Sequence, residues 1–485
     1  MASDEQFYSK HPSIPEHSGK YKTIVYIICT IAALGGLLFG LDQGFIANAL
    51  DTIKTDYHLD TSQAENYSAV LATGGVLGAL LSGLLARYFG RKKSLIFAGF
   101  VFTAGSLISA MLPPIAILEL CRFGLGLGVG IASFVVPLYL SETAPAKIRG
   151  SMGTLFQLMI TIGIFLISLT NVFIAKMITN SQHALPIMFL VIGLFAIVMF
   201  IGTFALPESP RWLMLKGKKD KALKVLHKTM NTQAEIDLEI KEIEYTLASS
   251  AKEKFSASIL FKGYFLKVII VGVLLQMFQQ LVGINVMIYY APEIFGYAGM
   301  KGLVAMMTVP TVNMLFTFPA IYLVEKWGRK KLLYVGAICM FITMVAAGLA
   351  FLTIAKGADP ATIGSGSKLV LLLAVIVYIF GFAVSWGPVA WLVCSEIFPL
   401  KVREVGITIT TMVNWTFAGL LMGYSLTFME QFGTSSLLFL FSFFCILAVA
   451  FVYLFVPETK GITLEEIELN LAKGVKLKDV GNARK

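Results

Sequence analysis

Six residues between positions 276 and 290 can do chemistry without carrying charge: Gln276, Gln279, Gln280, Asn285, Tyr289 and Tyr290, in the stretch QMFQQLVGINVMIYYAP. At i, i+3 and i+4 spacing the three glutamines share one helix face. Neutral amides beside aromatic rings suit an uncharged polyhydroxylated ligand, the amides bonding its hydroxyls and the rings lying against its C–H faces. The stretch sits in an apolar run that starts near Val268, so the first expectation is a sugar-like ligand held within a membrane. The competing use of such amides is to bond neighbouring helices; their density here weighs against it.

A second pair carries charge at membrane depth. Asp42 lies inside the first apolar run, GGLLFGLDQGFIANAL, and Arg122 is the only arginine deep in a later one. A carboxylate there costs about 3 kcal/mol on insertion scales and needs a partner. Pairing would neutralise both groups, and a buried carboxylate that can trade its cation for a proton is a natural coupling element. The alternatives are a permanent ion pair that only fixes packing and competition from Glu119, at i, i+3 from Arg122. Further along, Asn313, Asn414 and Trp415 lie in apolar runs, and Trp386 and Trp391 flank Gly387 and Pro388. The Gly-Pro pair predicts a helix break at mid-membrane. Broken helices there form transporter sites, and tryptophans offer stacking faces, although each Trp could instead hold an interfacial belt position.

The elements that position these residues follow from composition. With 57% hydrophobic and 14% charged residues over a length of 485, the chain cannot fold as a soluble globule and reads as a polytopic membrane protein. Its continuous apolar runs number twelve and are long enough for helices, unlike the short alternating segments of a β-barrel. The net charge of +10 reflects topology and anionic lipid, not nucleic acid, because Lys and Arg concentrate in alternate loops. Lys54, Lys176, Lys301, Lys356 and Lys368 are the exceptions. The positive-inside rule then puts both termini in the cytoplasm. The five cysteines fall in the spans and the five histidines outside them, so neither a disulfide framework nor a metal site is expected. The first run follows a polar leader, lacks an A-x-A-like cleavage site and reads as a retained helix.

The chain repeats itself. GLLARYFGRKK at 83–93 returns as IYLVEKWGRKK at 321–331, Ser141, Glu142, Pro145 and Arg149 return as Ser395, Glu396, Pro399 and Arg403, and PESPRWL returns as PETKG. Two six-helix halves result: a tail over 1–22, a bundle over 23–207, a linker over 208–262, a second bundle over 263–456 and a tail over 457–485. Ile236, Ile240, Ile243 and Leu247 at helical spacing predict amphipathic linker helices, and TLEEIE at 463–468 predicts a short surface helix. The ladder Gly124, Gly126, Gly128 and Gly130 lacks dinucleotide-site spacing and reads as close helix packing.

These motifs, with RFGLGLGVG, PLYLSETAPAKIRG, QQLVGINVMIYY and GPVAWLVCSEIFP, resemble the sugar porters of the major facilitator superfamily, nearest in pattern to bacterial proton-coupled hexose and pentose symporters. The likeness covers all but about the first 20 residues. It implies an all-α membrane protein of twelve transmembrane helices in two six-helix pseudo-repeat bundles, the major facilitator fold. It further implies sugar contacts from Gln157, Gln279, Gln280, Asn285, Asn313, Trp391 and Asn414, and an extracellular gate or site lining from Tyr289, Tyr290, Trp386 and Trp415. Asp42 matches the proton-carrying carboxylate of symporters and Arg122 its partner. Arg91, Glu142, Arg149, Arg211, Glu325, Arg329, Glu396 and Arg403 match charges that lock the cytoplasmic gate, with Arg87 a departure where the first GRK motif often has an acidic or amide residue.

The expected function is import of a monosaccharide with protons, across a plasma membrane (the inner membrane in a Gram-negative source), by a monomer that uses no cofactor but the coupling proton. A facilitative uniporter of the same fold and a non-transporting sugar receptor are the alternatives. No nucleophile and base pair or metal cluster points to an enzyme.

Overall fold

The computed structural model describes residues 21–145, 148–178, 180–252, 263–354, 364–398, 402–460, 470–471, 473 and 475–482. Among them, 11 helical segments are long and apolar enough to cross a membrane, and Arg91–Ser109, which opens on three basic residues, is the twelfth. The first half comprises α1 (Thr23–Asp56), α2 (Thr61–Phe89), α3 (Arg91–Ser109), α4 (Ile115–Thr143), α5 (Arg149–Met177) and α6 (Ser181–Ala205). The linker holds α7 (Pro210–Leu215), α8 (Lys219–Thr229) and α9 (Gln233–Lys252). The second half comprises α10 (Gly263–Leu281), α11 (Ile284–Tyr289), α12 (Ala291–Tyr297), α13 (Leu303–Trp327), α14 (Arg329–Leu352), α15 (Ser365–Val384), α16 (Trp386–Ile397), α17 (Arg403–Phe432) and α18 (Thr434–Phe455).

Helices surrounded by lipid gain nothing from leaving it, so small residues that admit close backbone contact set the packing. A Cβ on Gly40 of α1 would stand 1.9 Å from the Ile160 carbonyl oxygen of α5. The glycine ladder does the same on α4: Gly126 and Gly130 bring the Leu71 and Gly75 carbonyls of α2 to within 2.0 and 2.3 Å of where a Cβ would be. Across the halves, α2 packs on α17 and α5 on α13.

Two of the spans are interrupted. Gly283, at φ +95°, separates α10 from α11, a left-handed conformation that strains any residue with a Cβ. The second interruption falls at Ser385, φ −130° and ψ −88°, ahead of the expected Gly387-Pro388 pair. Pro388 instead occupies the first turn of α16, where its missing N–H has no helical partner to lose.

The duplication is visible in three dimensions. Gly90 and Gly328 cap α3 and α14 with φ of +96° and +89°. A glutamate from the end of each half sits over each helix start: Glu208 accepts from the N–H groups of Arg91 and Lys92 at 2.9 and 3.1 Å, and Glu458 from those of Arg329 and Lys330 at 2.9 and 3.1 Å. An anion at a helix N-terminus satisfies orphan donors and the helix dipole together. This explains PES and PET physically. Burial opposes the charge, pushing the Glu208 carboxyl up, while these N–H bonds and Arg91 pull it down.

In the linker, Leu226, Met230, Ile236 and Ile240 form a small apolar cluster of their own. Ile243 is buried, as its spacing predicts. The side chain of Leu247 and the segment 463–468 lie outside the described residues. All five cysteines are free.

Candidate functional site

Helix α1 presents two consecutive polar residues to different neighbours, because successive positions on a helix turn by about 100°. Asp42, fully buried, turns toward α4, where Arg122 Nη1 donates to its Oδ1 at 3.0 Å. Arg122 also donates from Nε to the Tyr67 carbonyl at 2.8 Å, with its guanidinium 5.0 Å from the Tyr67 ring centroid. The expected competitor is otherwise engaged, since Glu119 accepts from Asn66 at 3.1 Å. Among the described residues, Asp42 Oδ2, Arg122 Nη2 and the Tyr289 hydroxyl are buried without a hydrogen bond of good geometry. Buried polar atoms are rarely left so, and here three of them belong to the charge pair and to the tyrosine that senses its field.

Gln43, the next residue, turns toward the second half and donates to Asn285 Oδ1 at 3.0 Å. Asn285 donates to Gln280 at 2.6 Å, and Gln280 donates at 3.0 Å to both Gln279 and Asn414. Asn414 returns to Gln276 and Gln279 at 2.7 and 2.5 Å, and Gln276 reaches Cys394 at 3.7 Å. Helices α1, α10, α11, α16 and α17 thus share one buried neutral network. Amides are self-complementary, so they satisfy one another and can exchange each bond for one to a hydroxyl. Gln157 and Trp391 are partly buried, and Asn313 is buried with an open Oδ1; among the described residues none of the three bonds to this network.

The aromatic residues divide. Tyr290 ties the end of α11 to α17 by donating to the Met422 carbonyl at 2.6 Å. Trp415 is 2% exposed, against Phe39 at 5.0 Å and facing Gly75 of α2, which places it between the halves and not in an interfacial belt. Trp386 departs from its expected place: its indole N–H donates to the Leu333 carbonyl, near the start of α14. The ring is fully buried within its own bundle, toward the linker end; that is away from a distal gate, and a place lining the site is the other half of the expectation.

At the distal end, Glu65 of α2 accepts from the Thr427 backbone N–H at 2.9 Å and hydroxyl at 2.5 Å on α17. Thr61 donates to Glu430 at 2.7 Å. Beyond these bonds opens a cavity of about 540 Å³ whose lining includes Asp51, Lys54, Glu293, Tyr297 and Glu430. Burial, reinforced by Asp51, pushes the Glu293 carboxyl up to about 8.

At the linker end, Arg91 forms a fork with Glu142 at 2.9 and 2.8 Å, and Ser209 adds a 2.5 Å bond to the same carboxylate. Arg329 repeats the arrangement with Glu396 at 3.3 and 2.9 Å, and Thr459 replaces Ser209 at 2.6 Å. Both forks stay within one half. Among the described residues, a bond that does cross between halves runs from Arg91 to Glu404 at 3.3 Å. Arg211 turns to the linker, 3.5 Å from Glu239. Arg403 begins α17 one residue before Glu404, and the side chains of Arg149 and Glu325 lie outside the described residues. The Arg87 carbonyl accepts from the Trp212 indole at 3.0 Å.

A family model described as "Sugar (and other) transporter" matches residues 28–471. The chain belongs to the sugar transporter family. It is 40% identical to the galactose-proton symporter of Escherichia coli over 97% of this chain and 99% of that one. It is 36% identical to the arabinose-proton symporter of Escherichia coli, over 94% and 95%. A structure of the major facilitator superfamily proton:xylose symporter XylE bound to 6-bromo-6-deoxy-D-glucose superposes with a TM-score of 0.80 at 32% identity, covering 92% of this chain and 98% of that one.

In this sugar transporter several contacts escaped the motif reading. The pairings of Gln43, Glu65, Thr427 and Glu404 gave no signal, because each bond joins residues far apart in sequence. Glu65 and Gln43 were themselves detectable, as polar residues within apolar helices.

Proposed function

We propose that this chain imports a monosaccharide together with protons by alternating access, with the linker end and both termini in the cytoplasm of a plasma membrane, as a monomer. The observation that carries the reading is the placement of the buried Asp42–Arg122 pair one residue from Gln43, which joins the neutral network of Gln279, Gln280, Asn285 and Asn414. A group able to exchange a cation for a proton thus stands beside amides able to exchange bonds with hydroxyls. The relatives' names, galactose-proton and arabinose-proton symporter, support the same pairing, and the concentration of Lys and Arg at the linker end supports the orientation.

In this reading Asp42 takes a proton from the distal, external side and loosens Arg122. The sugar replaces bonds within the amide network, Tyr289 and Tyr290 close over it, and the bundles rock until the Arg91–Glu404 contact opens. Gln157, Asn313 and Trp391 would line the remainder of the sugar site. Moving one charge inward down 100 mV supplies about 2.3 kcal/mol. At about 1.4 kcal/mol per decade this sustains roughly a fifty-fold sugar gradient.

Transport of D-galactose, D-xylose and L-arabinose into proteoliposomes, with proton uptake followed at the same time, tests the reading. The expected result is sugar-driven proton entry, abolished by Asp42→Asn, and sugar affinity weakened about tenfold or more by Gln280→Ala. Sugar entry without proton movement would make the protein a uniporter. Binding without flux would make it a receptor.

A further inference from the structure

Proton and sugar sites must communicate if one drives the other, and a direct bond between described residues joins them. Gln43 is 4% exposed and Asn285 is 6% exposed, and their 3.0 Å bond joins the helix that carries the charge pair to the short helix beyond the Gly283 break. Asn285 and Tyr289 lie one turn apart on α11, on one face. That face meets α1 at two points: Asn285 at Gln43, and Tyr289 in the field of Asp42 and Arg122. Asn285 in turn donates to Gln280 at the short distance of 2.6 Å. A hydroxyl that donates to Asn285 Oδ1 therefore competes directly with Gln43, and one that takes Gln280 Oε1 frees the Asn285 amide to move.

We propose that Gln43 is the positioning residue that couples the two sites: its amide holds α11 against α1 when the sugar site is empty, and sugar binding releases it, changing the fit of Asp42 and Arg122. Gln43 touches no proton itself. Coupling arises because α1 is rigid between adjacent residues, so displacing Gln43 displaces Asp42. The ionisable groups facing Asp42 are Arg122 from α4, Tyr67 from α2 and Tyr289 from α11. Linkage makes the effect reciprocal: whatever protonation does to sugar affinity, sugar does to proton affinity by the same factor.

This inference rests on the proton-coupled reading above, and the test separates the two. Sugar affinity of the full-length protein in proteoliposomes is measured from pH 5.5 to 8.5 by binding whichever of D-galactose, D-xylose and L-arabinose binds most tightly. Wild type should show a pH-dependent affinity, and Gln43→Met, of similar length but without a donor, should flatten that dependence at least threefold. Gln43→Asn, a shorter donor, should restore part of it, and Asn285→Ala combined with Gln43→Met should lose no more than either alone. If Gln43→Met fails to insert, Gln43→Leu, which also lacks a donor, gives the same readout. A variant with the full wild-type pH dependence overturns the inference, as does one that loses affinity equally at every pH. A wild type with no pH dependence overturns the proton-coupled reading, and the inference with it.

Discussion

Glu65 and Thr427 close the distal end of the interface between halves through one carboxylate that accepts both a backbone N–H and a hydroxyl, at 2.9 and 2.5 Å. At the linker end the Arg91–Glu404 bond also crosses between the halves, at 3.3 Å and to a half-exposed carboxylate. Of these two contacts the distal one is the drier and the shorter.

A hydrogen bond to a charged group contributes about 1.5–3 kcal/mol. Thr427→Val removes the hydroxyl and keeps the shape, so the distal-open state should gain roughly ten- to hundredfold in population. Labelling of a cysteine placed on the buried side of the latch, Ser68→Cys, with a membrane-impermeant maleimide should accelerate correspondingly. An unchanged rate would mean that the latch does not hold the distal end shut.

Arg122 neutralises a carboxylate with no exposure to water. Breaking a buried pair from one side costs about 3–5 kcal/mol, because the remaining charge is uncompensated. Arg122→Met should therefore lower the thermal midpoint in detergent markedly. Arg122→Met with Asp42→Asn should recover most of the loss, though not proton uptake. If the double variant is no more stable than the single one, uncompensated charge is not the cause.

Glu293 links stability to pH. Its carboxyl stands at about 8, against 4.5 ordinarily, so between those values the folded chain holds a proton that the unfolded chain has released. Stability from this group is complete below about 4.5 and falls as pH rises toward 8. The thermal midpoint of wild type relative to Glu293→Gln should decline from pH 5 to 8.5, with the steepest part below 8. A pH-independent difference between the two proteins would refute this.

Much of the candidate site was legible because a polar residue in an apolar helix is conspicuous. Asp42, Arg122, Gln276, Gln279, Gln280, Asn285 and Asn414 stand out against their neighbours for that reason, and the structure brings them into one buried region. Gln43 is equally polar and lies beside Asp42, but the direction of its amide, toward Asn285, depends on how the halves pack and leaves no trace in sequence. Trp386 illustrates the reverse: a ring that the resemblance placed at a gate or in the site lining is fully buried and donates to the Leu333 carbonyl, a partner that spacing does not reveal.

Hydropathy, charge alternation and the echoed GRKK, SE and PE motifs determined the twelve helices, their two halves and the family, because a bilayer leaves a backbone few ways to satisfy itself. They also determined which residues are too polar to be ordinary. Tertiary structure alone decided the pairings: Arg122 to Asp42 over Glu119, Arg91 across to Glu404, Glu65 to Thr427, and Gln43 to Asn285. Such choices depend on helix rotation and on where glycines let backbones meet. A rotation of one residue, about 100°, would turn Asp42 from α4 and give its neighbour a different partner.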